Sequence, residues 1–351
     1  MERLHIAFFG PTNSGKSTLV NALAGQQVSL VSPIPGTTTD PVRKVIELPG
    51  LGPCVLIDTA GLGDASVLGA ERERLTHAIL DETDIAVVLD APEFGALAEE
   101  LDIPVIHYTR GETVESLLQR LIAAAPKEEE RFLTGNLVQA GSSVLLVMPQ
   151  DSEAPKGRLI LPQVQVLREL LDRGCVPHSC TPDSLPAALA SLSRLPDLVI
   201  TDSQVFALVD RTLPKDCPLT SFSVLLAAAK GDVRAFVAGA KAIDALRPGD
   251  RVLIAEACTH VPDTEDIGRV KIPALLRKKA GEILVDIAAG NDFPEDLSPY
   301  SLIIHCGACV ANARLVRSRI RKALLAGVPI TNYGIALAAL NGILGRISIP
   351  D

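Results

Sequence analysis

The sequence predicts an α/β protein with mostly parallel sheets, organised as three domains in succession. Three observations lead there. Short apolar runs recur along the chain, among them LHIAFF, VLID, IAVV, VLLV, LVIT, VLIA and LIIH, and each ends at a turn or a polar residue. Runs of this kind, apolar on both faces, suit strands covered by helices on either side. The composition agrees: 47% of residues are hydrophobic but only 3% aromatic, with no Trp, so Ala, Leu and Val must fill the layers. Finally, 351 residues exceed what one core of about 150 residues accommodates.

Charge and cysteine usage narrow the class. With 33 basic against 42 acidic residues the net charge is −9, which disfavours a general nucleic-acid binder. No apolar run reaches the about 18 residues of a membrane span, and MERLHIAFFG lacks the core of a signal peptide. A cytoplasmic chain without membrane or nucleic-acid partners is expected. Its seven cysteines are an odd, scattered set, which in a reducing compartment reads as core thiols or metal ligands.

The first domain, expected over 1–125, opens on strand LHIAFFG and runs directly into GPTNSGKST at 10–18. This fits the phosphate-loop pattern through Gly10, Gly15, Lys16 and Ser17. Backbone N–H groups of such a loop, here around Asn13, Ser14, Gly15 and Thr18, face the phosphates at a helix N-terminus. Lys16 would reach the β/γ-phosphates and the Ser17 hydroxyl would ligate Mg²⁺. VLIDTAG (55–61) supplies D-x-x-G, in which Asp58 supports the metal through water and the Gly61 N–H senses the γ-phosphate. PGTTTD (35–40) lies between them with a threonine for the metal shell. The order is that of a GTPase switch domain. The wording PGTTTD together with Asn13 resembles the tRNA-modification and Era-like branch of GTPases. That resemblance implies Thr38 as the Mg²⁺ ligand, with Thr37 and Thr39 as alternatives, and K⁺ activation through Asn13.

One expected element is missing. Guanine-specific domains carry N-K-x-D at the end of a later strand, yet none stands between IAVVLDA (85–91) and IPVIHYTRGETVESLLQRL (103–121). The domain reads as shortened by a helix and a strand. His107, Tyr108 and Thr109 fall where base contacts would lie, although His107 reads better as a strand-end histidine.

APKEEERF (125–132) ends this domain, and a second α/β domain is expected over 133–217. Its helix QVQVLRELLDRG (163–174) presents Val164, Leu167 and Leu171 at i, i+3 and i+7 as an apolar face. Cys175, His178 and Cys180 read as flexible loop residues. A third domain, 218–351, holds strand DRVLIAEACTH, ending in Cys258-x-His260, and strand LIIHCGAC, ending in His305-Cys306-x-x-Cys309. Parallel strands end on one edge of a sheet, so the C-x-H-x44-H-C-x-x-C set can converge. Three thiolates with one or two imidazoles suit Zn²⁺ or an iron–sulfur cluster, and spacing alone leaves both open. The following helix, ANARLVRSRIRKALL (311–325), places Arg314, Arg317 and Arg321 on one face.

Across almost its whole length the chain resembles the maturation GTPase of [FeFe]-hydrogenase, the F maturase family. GPTNSGKS, GTTTDPV, DTAG, APKGRLILPQVQ, ITDSQVF, PLTSFS, LIAEACTH, DIGRVKIP, NDFPEDLS, IIHCGAC and GVPITNYG carry the resemblance. It implies a GTPase domain, a dimerisation domain and an iron–sulfur domain in a homodimer. It implies a [4Fe–4S] cluster on Cys258, Cys306 and Cys309, with His305, His260, Glu256 or an outside group as the fourth ligand. The implied role is that of a GTP-hydrolysing scaffold, taking a di-iron precursor from radical maturases to the hydrogenase apoprotein. A P-loop NTPase with structural zinc acting in RNA modification is the alternative reading.

Overall fold

The computed structural model describes residues 3–25, 41–59, 75, 78–126, 132–150, 156–257 and 266–351. Contacts divide the chain into two compact units, 1–129 and 130–351.

The first unit holds a five-stranded sheet ordered β2-β3-β1-β4-β5, with β1 Leu4–Phe9, β2 Val42–Leu48, β3 Gly52–Asp58, β4 Ile85–Val88 and β5 Val105–His107. Burial follows sequence pattern. β1 and β4 are apolar on both faces and lie inside, parallel to their neighbours. VRKVIEL alternates, and it forms the antiparallel edge β2. A single helix, Pro92–Glu100, joins β4 to β5, and Val88 pairs with His107. No strand intervenes between β4 and β5 among these described residues.

The second unit contains two four-stranded parallel sheets. One is ordered β7-β6-β8-β9, from β6 Ser143–Val147, β7 Val176–Cys180, β8 Leu198–Thr201 and β9 Leu219–Ser221. His178 and Cys180, expected in a loop, thus lie in β7, paired with Leu145 and Val147. The other is ordered β11-β10-β12-β13, from β10 Arg251–Glu256, β11 Leu284–Ala289, β12 Leu302–His305 and β13 Ile330–Asn332. Each places its strands in the order second, first, third, fourth. The pairing repeats in register as well: Val144 faces Leu198 as Val252 faces Leu302, and Val199 faces Leu219 as Ile303 faces Ile330. Sequence echoes the repetition. GRLILP (157–162) answers GRVKIP (268–273), and PLTSFSVLLAAAKG (218–231) answers PITNYGIALAALNG (329–342). The unit is an internal duplication, which the sequence analysis did not detect. β9 is the last strand of the first copy, so that copy runs past the boundary expected at 217. Leu145, Val147 and Val199 of the first copy join Val252, Leu253, Ile303 and Ile304 of the second in one apolar core.

One expected face is corrected. In the Leu161–Asp172 helix the buried residues are Pro162, Gln163, Val166 and Leu170, while Val164 and Leu171 are 46% and 54% exposed. Gln163 can go inside because both ends of its amide are bonded: Nε2 donates to Asp202 Oδ2 (2.9 Å), and Oε1 accepts from the Ile160 N–H (3.2 Å). That fixes the helix about one residue round from the face the apolar spacing suggested.

Candidate functional site

The phosphate loop lies between β1 and the Lys16–Ala24 helix. Asn13 and Gly15 both have positive φ, 64° and 100°, which turns successive N–H groups inward at the helix start. Gly10 is obligatory for a different reason: a Cβ there would stand 2.4 Å from the Leu89 carbonyl oxygen. Lys16 is buried and donates to the Gly10 and Pro11 carbonyls, both at 2.9 Å, so its ammonium closes the loop. Burial lowers its pKa to about 8, against the partly opposing influence of Asp58. The Ser17 hydroxyl donates to Asp58 Oδ2 at 2.6 Å, joining the end of β3 to the loop. Asp58 Oδ1 and Ser14 Oγ are buried with no hydrogen-bond partner among the described residues. Orphaned oxygens beside a glycine-rich N–H cradle fit a phosphate–Mg²⁺ group. Thr18 follows on the exposed side of the helix. Thr38 and Gly61 lie outside the described residues. His107 ends β5 exposed, its ring packed where a Cβ on Gly95 would stand, as expected of a strand-end histidine.

The second cluster lies at the C-terminal edge of the second copy's sheet. Cys306 follows β12, and its sulfur accepts the Ala257 N–H (3.1 Å) and the Ala308 N–H (3.3 Å). Two backbone N–H groups are thus directed at one sulfur. Ala308 sits at φ 50°, a left-handed backbone that folds the HCGAC loop back on itself. Lys230, at the end of the first copy, holds that loop: its buried ammonium donates to the carbonyls of Ala308 (2.8 Å), Ala311 (2.7 Å) and Cys309 (3.4 Å). Cys306 and Cys309 stay partly exposed, and none of the six described cysteines is in a disulfide. Cys258 and His260 lie outside the described residues.

His305 is corrected as a candidate ligand. It is fully buried, with Nδ1 2.8 Å from the Cys306 carbonyl and Nε2 3.2 Å from Arg319 Nη1. A carbonyl can only accept and a guanidinium only donate, so Nδ1 carries the proton and Nε2 is occupied. Burial first, then Arg319, depress its pKa to about 3, leaving it neutral. Its role is to brace the Cys306 backbone.

Arg319 was not singled out from the sequence, where it is one more arginine of a basic helix. It is 2% exposed, donates to the Glu256 carbonyl (3.1 Å) and the Gly290 carbonyl (2.5 Å), and lies over the Phe293 ring. Glu256, also buried, is held by Arg269 at 2.6 Å. Its carboxylate is thereby committed to an ion pair. Arg317 and Arg321 are exposed on the outer face of the Ala313–Leu325 helix, beside Asp232 and the apolar Leu324 and Leu325.

Comparison with known proteins follows this division. Residues 5–122 match the 50S ribosome-binding GTPase model, 133–231 the hydrogen maturase F dimerization domain and 234–350 the hydrogen maturase F tetramerization domain. The last two together cover well over half of the chain and meet where the two copies of the duplication meet. The chain belongs to the hydrogen maturase F family. Its first domain is a P-loop GTPase domain of the expected branch. That domain is similar to the tRNA modification GTPase MnmE of Methylobacterium sp. (39% identity over 150 residues, 35% of this chain and 34% of that protein). It is also similar to the MnmE of Herminiimonas arsenicoxydans (44% over 102 residues, 28% and 22%). The chain thus spans about a third or less of the length of these curated relatives. Among solved structures, Aquifex aeolicus Era bound to GDP·AlF4⁻ is 18% identical and covers 84% of this chain and 97% of that one, at a TM-score of 0.27. No described helix is long and apolar enough to cross a membrane.

Proposed function

We propose that the protein is a GTP-hydrolysing scaffold for [FeFe]-hydrogenase maturation, expected as a homodimer. In this reading it takes a di-iron precursor from radical maturases and delivers it to the hydrogenase apoprotein. The reading is supported above all by one observation: a complete phosphate loop and a braced pair of cysteines occur in one chain of this family. In the first domain, Gly10, Asn13, Ser14, Gly15 and Thr18 shape the cradle. Lys16 neutralises phosphate charge, Ser17 and Thr38 ligate Mg²⁺, Asp58 supports that metal and Gly61 senses the γ-phosphate. Asn13 is the candidate K⁺ contact. In the second copy Cys306 and Cys309, with Cys258, would hold the [4Fe–4S] cluster, which supplies an iron position that cargo can reach. The donors fit: the Cys306 sulfur is already furnished with two N–H groups, and the loop bearing both thiols is clamped by Lys230. With His305 committed to Arg319, the fourth ligand is His260 or an outside group. Hydrolysis would gate partner exchange, while this chain's own residues bind, orient and shield.

The deciding experiment is anaerobic reconstitution of the full chain with iron and sulfide, with EPR spectra recorded beside Cys306→Ala. A reduced-cluster signal present in wild type and absent from the variant supports the reading. A colourless chain holding stoichiometric zinc overturns it in favour of a metal-stapled NTPase. Phosphate release by Lys16→Ala beside wild type, in potassium and in sodium, tests the nucleotide half.

A further inference from the structure

The duplication lets the chain act as its own control. Phe222 and Tyr333 occupy one place in the two copies, each the first residue of the helix that leaves the last strand. Each follows a residue whose side chain caps that helix: Ser221 Oγ accepts the Val224 N–H and Asn332 Oδ1 the Ile335 N–H. The two rings differ by one hydroxyl. In the second copy that hydroxyl is buried, and it has no hydrogen-bond partner among the described residues. A buried, unsatisfied phenol destabilises a fold where phenylalanine would not. Room has been made for it nonetheless: a Cβ on Gly268 would stand 1.9 Å from the Tyr333 oxygen, so only glycine fits there.

Its position says what it serves. Asn332 pairs with His305 across β13 and β12, so Tyr333 and Cys306 leave adjacent strands side by side. Burial, then Cys306, Glu256 and Asp266, hold the phenol well above its ordinary pKa, and it keeps its proton. The Glu256 carboxylate is engaged by Arg269. The first copy, which has Asp202 and Ser203 where the second has Cys306 and Gly307, does without the hydroxyl.

We propose that Tyr333 is a positioning residue for the iron–sulfur cluster, its hydroxyl donating a hydrogen bond to cluster sulfur, whether the Cys306 thiolate or a sulfide. The inference rests on the iron–sulfur reading above. A donor at sulfur withdraws charge from the cluster and favours its reduced form.

Tyr333→Phe installs the residue that the first copy uses at this place, so the packing is retained. Wild type and variant, as full chains reconstituted without oxygen, are compared for iron content and for reduction against a reference dye followed by EPR. The expected result is equal iron, altered g-values and a reduction equilibrium shifted about tenfold towards the oxidised cluster. A variant whose equilibrium and spectrum match a normal wild-type cluster overturns the inference alone. Wild type that takes up no iron overturns the iron–sulfur reading and the inference with it.

Discussion

The two copies in the second unit share strand order, register and capping, yet only the second carries cysteines after its third strand. Where β8 of the first copy ends in Thr201, Asp202 and Ser203, β12 of the second ends in His305, Cys306 and Gly307. In the first copy Asp202 is tied to Gln163; in the second Cys306 gathers backbone amides. The same scaffold therefore stands without cysteine after this strand. Its stability comes from strands apolar on both faces, and the cysteines are spare for chemistry.

The comparison breaks most visibly if those thiols are removed. Cys306→Ala is expected to abolish cluster assembly while leaving the apo chain's melting temperature near wild type, read as iron per chain beside a thermal scan. A large drop in melting temperature would make the cysteine a packing residue instead. Arg319→Met comes next, because it removes a buried donor from the Glu256 and Gly290 carbonyls and from His305 Nε2. A loss of about 3–5 kcal/mol in denaturant unfolding is expected. Lys230→Met removes a cation donating to carbonyls of the cysteine loop. About 1.5–3 kcal/mol should be lost, together with iron affinity, because a side chain of one copy clamps the site of the other.

A smaller effect tests how far the copies can be made alike. Gly334 stands where the first copy has Ser223, and a Cβ on it would lie 2.9 Å from Ser223 Cβ and 3.0 Å from Ser203 Oγ. Gly334→Ser should cost about 1–3 kcal/mol, and adding Ser223→Gly should return part of it, read by a double-mutant cycle. The smallest effect lies in the first unit and concerns pH. Lys16 has its folded pKa lowered to about 8 from 10.5, so its charge is disfavoured in the apo fold. Stability should therefore rise as pH climbs from about 8 towards 10.5, where the unfolded chain binds the extra proton. Nucleotide affinity should move oppositely, weakening up to about tenfold per pH unit above that pKa, because phosphate needs the ammonium. Titration calorimetry on both sides of this value checks it, with an unchanged Kd counting against a charged-lysine contact.

Much of this was legible in the sequence, for reasons of local chemistry. A phosphate loop is written in contiguous residues, and strands ending in C-x-H and H-C-x-x-C announce a shared edge. What escaped depends on distant partners. Gln163 is buried rather than Val164 because Asp202, far along the chain, satisfies it. Arg319 is indistinguishable by spacing from the exposed Arg317 and Arg321 until its carbonyl partners are in place. His305 reads as a ligand by its position before Cys306, and only its two filled nitrogens reassign it. The duplication hides because its copies agree chiefly at turns and caps, while their site residues have diverged. Thr38, Gly61, Cys258 and His260 lie outside the described residues, and their roles stand as proposed.

The far end of the chain adds one more consequence. Ile347 bridges Leu219, and the Ser348 N–H donates to the Leu219 carbonyl, so residues beyond the second copy lie along the edge strand of the first. Arg346 reinforces this through the Cys217 carbonyl and an ion pair with Asp210. During synthesis the first copy therefore leaves the ribosome with β9 uncovered, and it is sealed only when the stretch around 347 emerges. Of the two copies, the one translated first is completed only after the other, and loss of the stretch around 347 exposes a sticky edge more than a hundred residues upstream.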